Sequence, residues 1–149
     1  MCDHCGCRDQ PPIGELMDEH DRIMDLAWRV VTGPADDASG TSRVRAELRT
    51  LLEMHATKEE RALYPLLIES GDMEPDDRTL FEQEHRDLLA LVDELHLDTT
   101  GTNVLAAHIK AEELDLFPNA MFAFDDDAWD LMERVSHDLA HEFGVEHEH

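Results

Sequence analysis

Two segments of the chain carry one pattern. His55 to Pro65 reads HATKEERALYP, and His108 to Pro118 reads HIKAEELDLFP. Each runs His, three residues, Glu-Glu, three residues, aromatic, Pro. This duplication constrains the fold more than any other feature. Residues four apart share one face of an α-helix, so each copy stacks an imidazole and a carboxylate along about 6 Å of axis. A second matched pair precedes the copies. His20 in DEHDRIMDL and His85 in QEHRDLLAL each follow an acidic residue and lead through a polar stretch into an apolar run. The chain therefore reads as two helix pairs of one plan, a lone-His helix followed by a His-x3-Glu helix.

Apolar spacing places these motifs on inward faces. Steps of three and four residues give Ile13, Leu16, Met17, His20, Ile23, Ala27 and Val30 on a first helix. The second stripe is Leu48, Leu51, Leu52, His55, Glu59, Ala62 and Leu66; the third is Phe81, His85, Leu88, Val92 and Leu95. Leu105, His108, Glu112 and Leu116 form the fourth. The first helix starts at Pro12 and stops near TGPADDASG. The second runs from about Thr41 to Ser70 before Gly71, and the third from Pro75 to about Leu97. Thr100 or Thr102 caps the fourth, which ends around FPNAMF because Pro118 has no N–H to continue it. A fifth follows Asp125 and runs to about Phe143, with Gly144 past its end. No alternating strand pattern occurs. The expectation is all-α: an up-down-up-down four-helix bundle over 12–118, a Cys-rich tail over 1–11, and a C-terminal helix with a His/Glu-rich tail over 119–149.

Charge narrows the partners. Asp plus Glu number 36 against 12 Lys plus Arg, a formal charge of −24. That balance works against nucleic acid and anionic membrane. No apolar run approaches the roughly 20 residues needed to cross a bilayer. The start, MCDHCGCRDQPP, has no basic stretch leading into an apolar one, so the expected location is cytoplasmic. Ten His is a high count for 149 residues, and a solvated acidic surface does not ask for them.

The stripes give them a home. His20, His55, His85 and His108 sit near the middle of four inward faces, and Glu59 and Glu112 follow two of them by one turn. A buried carboxylate left alone costs several kcal/mol, so a compensating cation is expected. Each imidazole can ligate a metal while the Glu beside it bridges to a second. Two metals with nitrogen and oxygen donors and open positions favour iron, or manganese, over structural zinc.

These residues resemble those of hemerythrin-like proteins of the HHE cation-binding kind, over Leu16 to Phe117. The resemblance implies a non-haem di-iron centre: His20 and His55 on one iron, His85 and His108 on the other, Glu59 and Glu112 bridging, with an oxo or hydroxo group between. Tyr64–Pro65 and Phe117–Pro118 match the family's aromatic-Pro endings. Two departures stand out. Oxygen-carrying hemerythrins place two His four apart on the third helix, where this chain has Phe81 and Leu89 around His85. They also end on an Asp at a spacing of five, where this chain has Glu112 at four. Both irons then keep room for a ligand. This fits redox or peroxidase-type chemistry, or sensing of oxygen, nitric oxide or peroxide (O2, NO or H2O2), with room for a protein redox partner. Oxygen or iron storage without turnover, and a zinc-filled structural or adaptor bundle, are the alternatives.

CDHCGC places Cys2, Cys5 and Cys7 around His4. Such a string can close a second metal site or cycle between dithiol and disulfide, or be free thiols of a short tail. His137 and His141 fall opposite the apolar face of the last helix and should meet water; with His147 and His149 they could take up stray divalent ions. His96 shares the face of His85 but lies about 16 Å further along. Tyr64, about 140° round an α-helix from Glu59, reads as packing.

Overall fold

A computed structural model of the chain describes residues 9–33, 38–93 and 97–144, all in helices and short links, with no strand among them. Helix α1 (Pro11–Thr32) opens on prolines, whose missing N–H costs nothing in a first turn. Helix α2 is one continuous run of an α-helical stretch (Ala38–Lys58), a π-helical turn (Glu59–Leu63) and a further α-helical stretch (Tyr64–Ser70). Gly71 ends it at φ +85°, a left-handed conformation that glycine adopts without strain, and its N–H caps the Ile68 and Leu67 carbonyls. Helix α3 spans Pro75–Asp93. Helix α4 repeats the build of α2: Thr99–Ala111, a π-helical turn over Glu112–Leu116, then Phe117–Ala123. Helix α5 is Asp126–Glu142, its first turn capped by Asp125 accepting from the Ala128 N–H at 2.9 Å.

Three sequence expectations change here. The cap of α4 is Asp98, which accepts from the Gly101 N–H at 2.8 Å, while the Thr102 hydroxyl donates to the Asp98 carbonyl. Leu97 lies outside α3, in the link before that cap. Pro118 does not stop α4. The backbone N–H of Phe117 reaches five residues back to Glu112, as that of Tyr64 reaches Glu59. Each wide turn makes room for the proline ring that follows it, and the helix continues to Ala123.

Helix α1 packs on α2, α4 and α5, and α3 on α2 and α4. Buried apolar residues form two clusters. Ile13, Leu16, Met17, Leu67, Phe117 and Met132 belong to one, and Ile23, Leu26, Leu48, Leu88, Val92 and Leu105 to the other. Along α1 to α4 the predicted His falls between residues of the two clusters: Met17 and Ile23 flank His20, and Leu105 and Leu116 flank His108. A polar layer is therefore held between two apolar ones. Each fully buried Leu or Ile stabilises the fold by about 1.5–3 kcal/mol, which offsets the cost of keeping charge at this depth.

Candidate metal centre

The polar layer contains all six predicted side chains. His20, His55, Glu59, His85, His108 and Glu112 are buried. They form two groups of four that share both carboxylates: His20, His55, Glu59 and Glu112, and Glu59, His85, His108 and Glu112. Within each group one donor atom per residue lies within 4.8 Å of the others.

Each imidazole is tied outward by a carboxylate that the sequence reading did not include in the site. His55 Nδ1 meets Glu19 at 2.8 Å, and His85 Nδ1 meets Glu60 at 2.7 Å. His108 Nδ1 meets Glu84 at 2.6 Å, and His20 Nδ1 meets Glu113 at 2.8 Å. The contacts close a circle: α1 orients the histidine of α2, α2 that of α3, α3 that of α4, and α4 that of α1. Rings restrain the imidazole planes further. Phe117 stacks on His20 (5.4 Å, 9°), Tyr64 on His85 (5.9 Å, 13°), and Phe81 meets His108 edge-on at 5.8 Å.

With each Nδ1 tied outward to a carboxylate, every Nε2 faces inward. His20 Nε2 is 3.1 Å from Glu112 Oε1, and His85 Nε2 is 3.0 Å from Glu59 Oε1. His55 Nε2 lies 3.3 Å from Glu59 Oε2, and His108 Nε2 lies 3.5 Å from Glu112 Oε1, but neither pair is aligned for a hydrogen bond. His55 Nε2, His108 Nε2 and Glu59 Oε2 are thus buried polar atoms without a hydrogen-bond partner. Such atoms are costly unless something positive sits among them.

The model of the hemerythrin HHE cation binding domain matches residues 11–120. The chain belongs to the hemerythrin HHE family. No curated protein and no solved structure matches it.

For a member of the hemerythrin HHE family, the donor set fits a metal: inward imidazole nitrogens with fixed tautomers, shared carboxylates, and orphaned lone pairs between them. Against protein charges alone, protons fill that role. Burial opposes protonation of His55, but Glu59, Glu112 and Glu19 outweigh it and hold its pKa well above the usual value. Burial likewise opposes His20 and His85, yet Glu112 and Glu113 raise the first, and Glu59 and Glu60 lift the second to about 9. Burial would raise Glu112, but its contacts with Glu59, His20 and His55 hold it well below the usual carboxylate range. A metal entering this hemerythrin-family site therefore displaces protons.

Tyr64, read from sequence as packing, belongs to the site. Its hydroxyl lies 3.1 Å from Glu112 Oε2, 3.5 Å from Glu59 Oε1 and 3.3 Å from His85 Nε2. The π turn between Glu59 and Tyr64 closes over five residues and so rotates less per residue than the α-helix on which 140° was reckoned. The wide turn brings both side chains to one face. Burial, then Glu59 and Glu112, hold the phenol's pKa well above normal, so it carries its proton. Lys58 is a further buried member: its ammonium meets Glu15 at 2.5 Å and also pairs with Glu19.

His137 and His141 lie exposed on α5, as the solvated reading expects. Cys2, Cys5, Cys7 and His4 fall outside the described residues, as do His96, His147 and His149. Among the described residues, no helix is long and apolar enough to cross a membrane.

Proposed function

We propose that the chain holds two cations side by side in the polar layer, iron by preference. It would use them on a small ligand such as dioxygen, nitric oxide or peroxide, in redox or peroxidase-type chemistry or in sensing. The observation that carries this reading is the circle of four imidazoles, each tied outward through Nδ1 and aiming Nε2 at two shared carboxylates. In this reading His20 and His55 hold one ion, and His85 and His108 the other. Glu59 bridges them, because it turns Oε2 to His55 and Oε1 to His85. Glu112 also bridges, because its Oε1 faces His20, His55 and His108. The bundle would run up-down-up-down with α5 added, in keeping with short links such as 71–74.

Imidazole and carboxylate donors suit iron or manganese better than structural zinc. When bound, a pair of iron ions supplies electron transfer and open positions for a small ligand. The chain's own residues do the rest. The outer carboxylates fix the tautomers and raise the basicity of the inward nitrogens. The two apolar clusters restrict water. The Tyr64 hydroxyl keeps a proton beside Glu59 and Glu112. Phe81 and Leu89, one turn either side of His85, offer no further donor, so a coordination position would be left for a ligand.

The test is reconstitution of metal-free chain with ferrous iron, followed by exposure to oxygen, nitric oxide or peroxide and by visible absorption. Near-ultraviolet and visible charge-transfer bands should grow, respond to at least one of the three, and fade in His55→Ala and Glu112→Ala. Retention of zinc in preference to iron, or iron whose spectrum ignores all three ligands, would overturn the reading.

A further inference from the structure

The internal repeat aligns Glu19 with Glu84, and the carboxylates do the same thing: each orients the histidine of the next helix. What stands behind them differs. Glu19 is 11 % exposed and its second oxygen is held by Lys58, a lysine that is itself 5 % exposed. Lys58 is also paired with Glu15, which accepts from the Ser136 hydroxyl at 2.5 Å. An unbroken polar chain therefore runs Ser136–Glu15–Lys58–Glu19–His55, from α5 to the inner layer. In the second half the repeat places Ala111 where Lys58 stands, and Leu80 where Glu15 stands. Glu84 is 49 % exposed, and among the described residues no Lys or Arg pairs with it. A cavity of about 350 Å³ opens beside it, lined by Glu84, Leu88, Val104, Ala107, His108 and Ala111. It reaches His108 itself.

Resting on the two-cation reading, we propose that Lys58 makes the two seats unequal. By clamping Glu19 it positions His55 and makes the seat of His20 and His55 the tight one, while the seat of His85 and His108 exchanges its ion with solvent along the Glu84 groove. Geometry supplies the reason. Glu15 and Glu19 lie one turn apart on α1 and repel each other, and Lys58 is the cation between them. Without it one carboxylate swings away, and His55 loses the partner that fixes its ring. Glu84 has no clamp and borders the groove, so His108 is the imidazole least held in place. Lys58 is thus a positioning residue, acting through Glu19.

The test is a titration of metal-free full-length chain with cobalt(II), followed by calorimetry and visible absorption. Wild type should bind in two steps separated by at least about tenfold, the tight step surviving in His85→Ala and lost in His55→Ala. Lys58→Met should weaken the tight step by about 10–100-fold, the usual effect of removing such support, and leave the weak step unchanged. Glu84→Gln should change only the weak step. Should Lys58→Met not fold, Lys58→Gln, which keeps a polar side chain and removes the charge of the clamp, should weaken the tight step in the same sense. Two equal steps in wild type, or a tight step unmoved by Lys58→Met and Lys58→Gln, overturn the proposal and leave the two-cation reading intact. Binding of no cobalt at all overturns that reading and the proposal with it.

Discussion

After the first π turn the repeat places Tyr64; after the second it places Phe117. Both rings lie against an imidazole, Phe117 on His20 and Tyr64 on His85, at nearly parallel angles. Only Tyr64 adds a hydroxyl, and that hydroxyl reaches both shared carboxylates. The inner donors behave the other way: His20 and His85, and His55 and His108, occupy matching places with matching partners, and Glu59 and Glu112 occupy matching places. The duplicated pattern thus specifies where the donor atoms go, and departures from it give the two halves different surroundings. A proton donor faces the second half, and a buried lysine backs the first.

The largest effect should come from removing what the halves share. Glu112 touches histidines of both, so Glu112→Ala should lose both bound cations. It should also destabilise the metal-free chain by about 3–5 kcal/mol, since buried imidazoliums lose their counter-charge. Metal analysis and a thermal melt check this, and loss of only one ion would mean that Glu112 serves one half. Next, His108→Ala should remove only the second-half ion and His20→Ala only the first, each leaving roughly one cation per chain. An unchanged stoichiometry in both would end the division into halves.

A pH effect follows in size. In the metal-free chain His85 has a pKa of about 9, above its ordinary 6.5. A raised folded-state value means that protonated His85 stabilises the fold fully below about pH 6.5, and this contribution is lost as pH rises through about 9. The melting temperature of metal-free chain should fall across that window, and His85→Gln should flatten the fall. Loading metal should flatten it too, because Nε2 then holds no proton. A slope equally steep with and without metal would show that no ion reaches His85. The smallest effect is Tyr64→Phe, which makes the aromatic positions of the two halves alike. It removes a buried hydroxyl and should cost about 1 kcal/mol while leaving metal stoichiometry intact. A shift in the visible bands of iron-loaded chain would place the hydroxyl beside the ions.

That the six inner side chains turn inward together was legible in the sequence, because they recur at helical spacing on apolar stripes. The four outer carboxylates were not. Glu19, Glu60, Glu84 and Glu113 each adjoin one of the six, but in a chain with 36 acidic residues a Glu beside a His reads as surface. Lys58 escaped for the same reason, since a lysine between Thr57 and Glu59 has no sequence mark of burial. Tyr64 and Pro118 were misread together: both judgements assumed regular α-helix through segments that contain a π turn. The repeated aromatic-Pro after Glu-Glu was the available signal, because a proline inside a helix calls for local widening.

The most direct measurement is anomalous scattering from crystals of iron-loaded chain. The account predicts two peaks in the layer between the apolar clusters, about 3.5–4 Å apart, one beside His20 and His55 and the other beside His85 and His108. A layer without a peak when iron was in excess, or iron found only at surface residues such as His137 and His141, would contradict it.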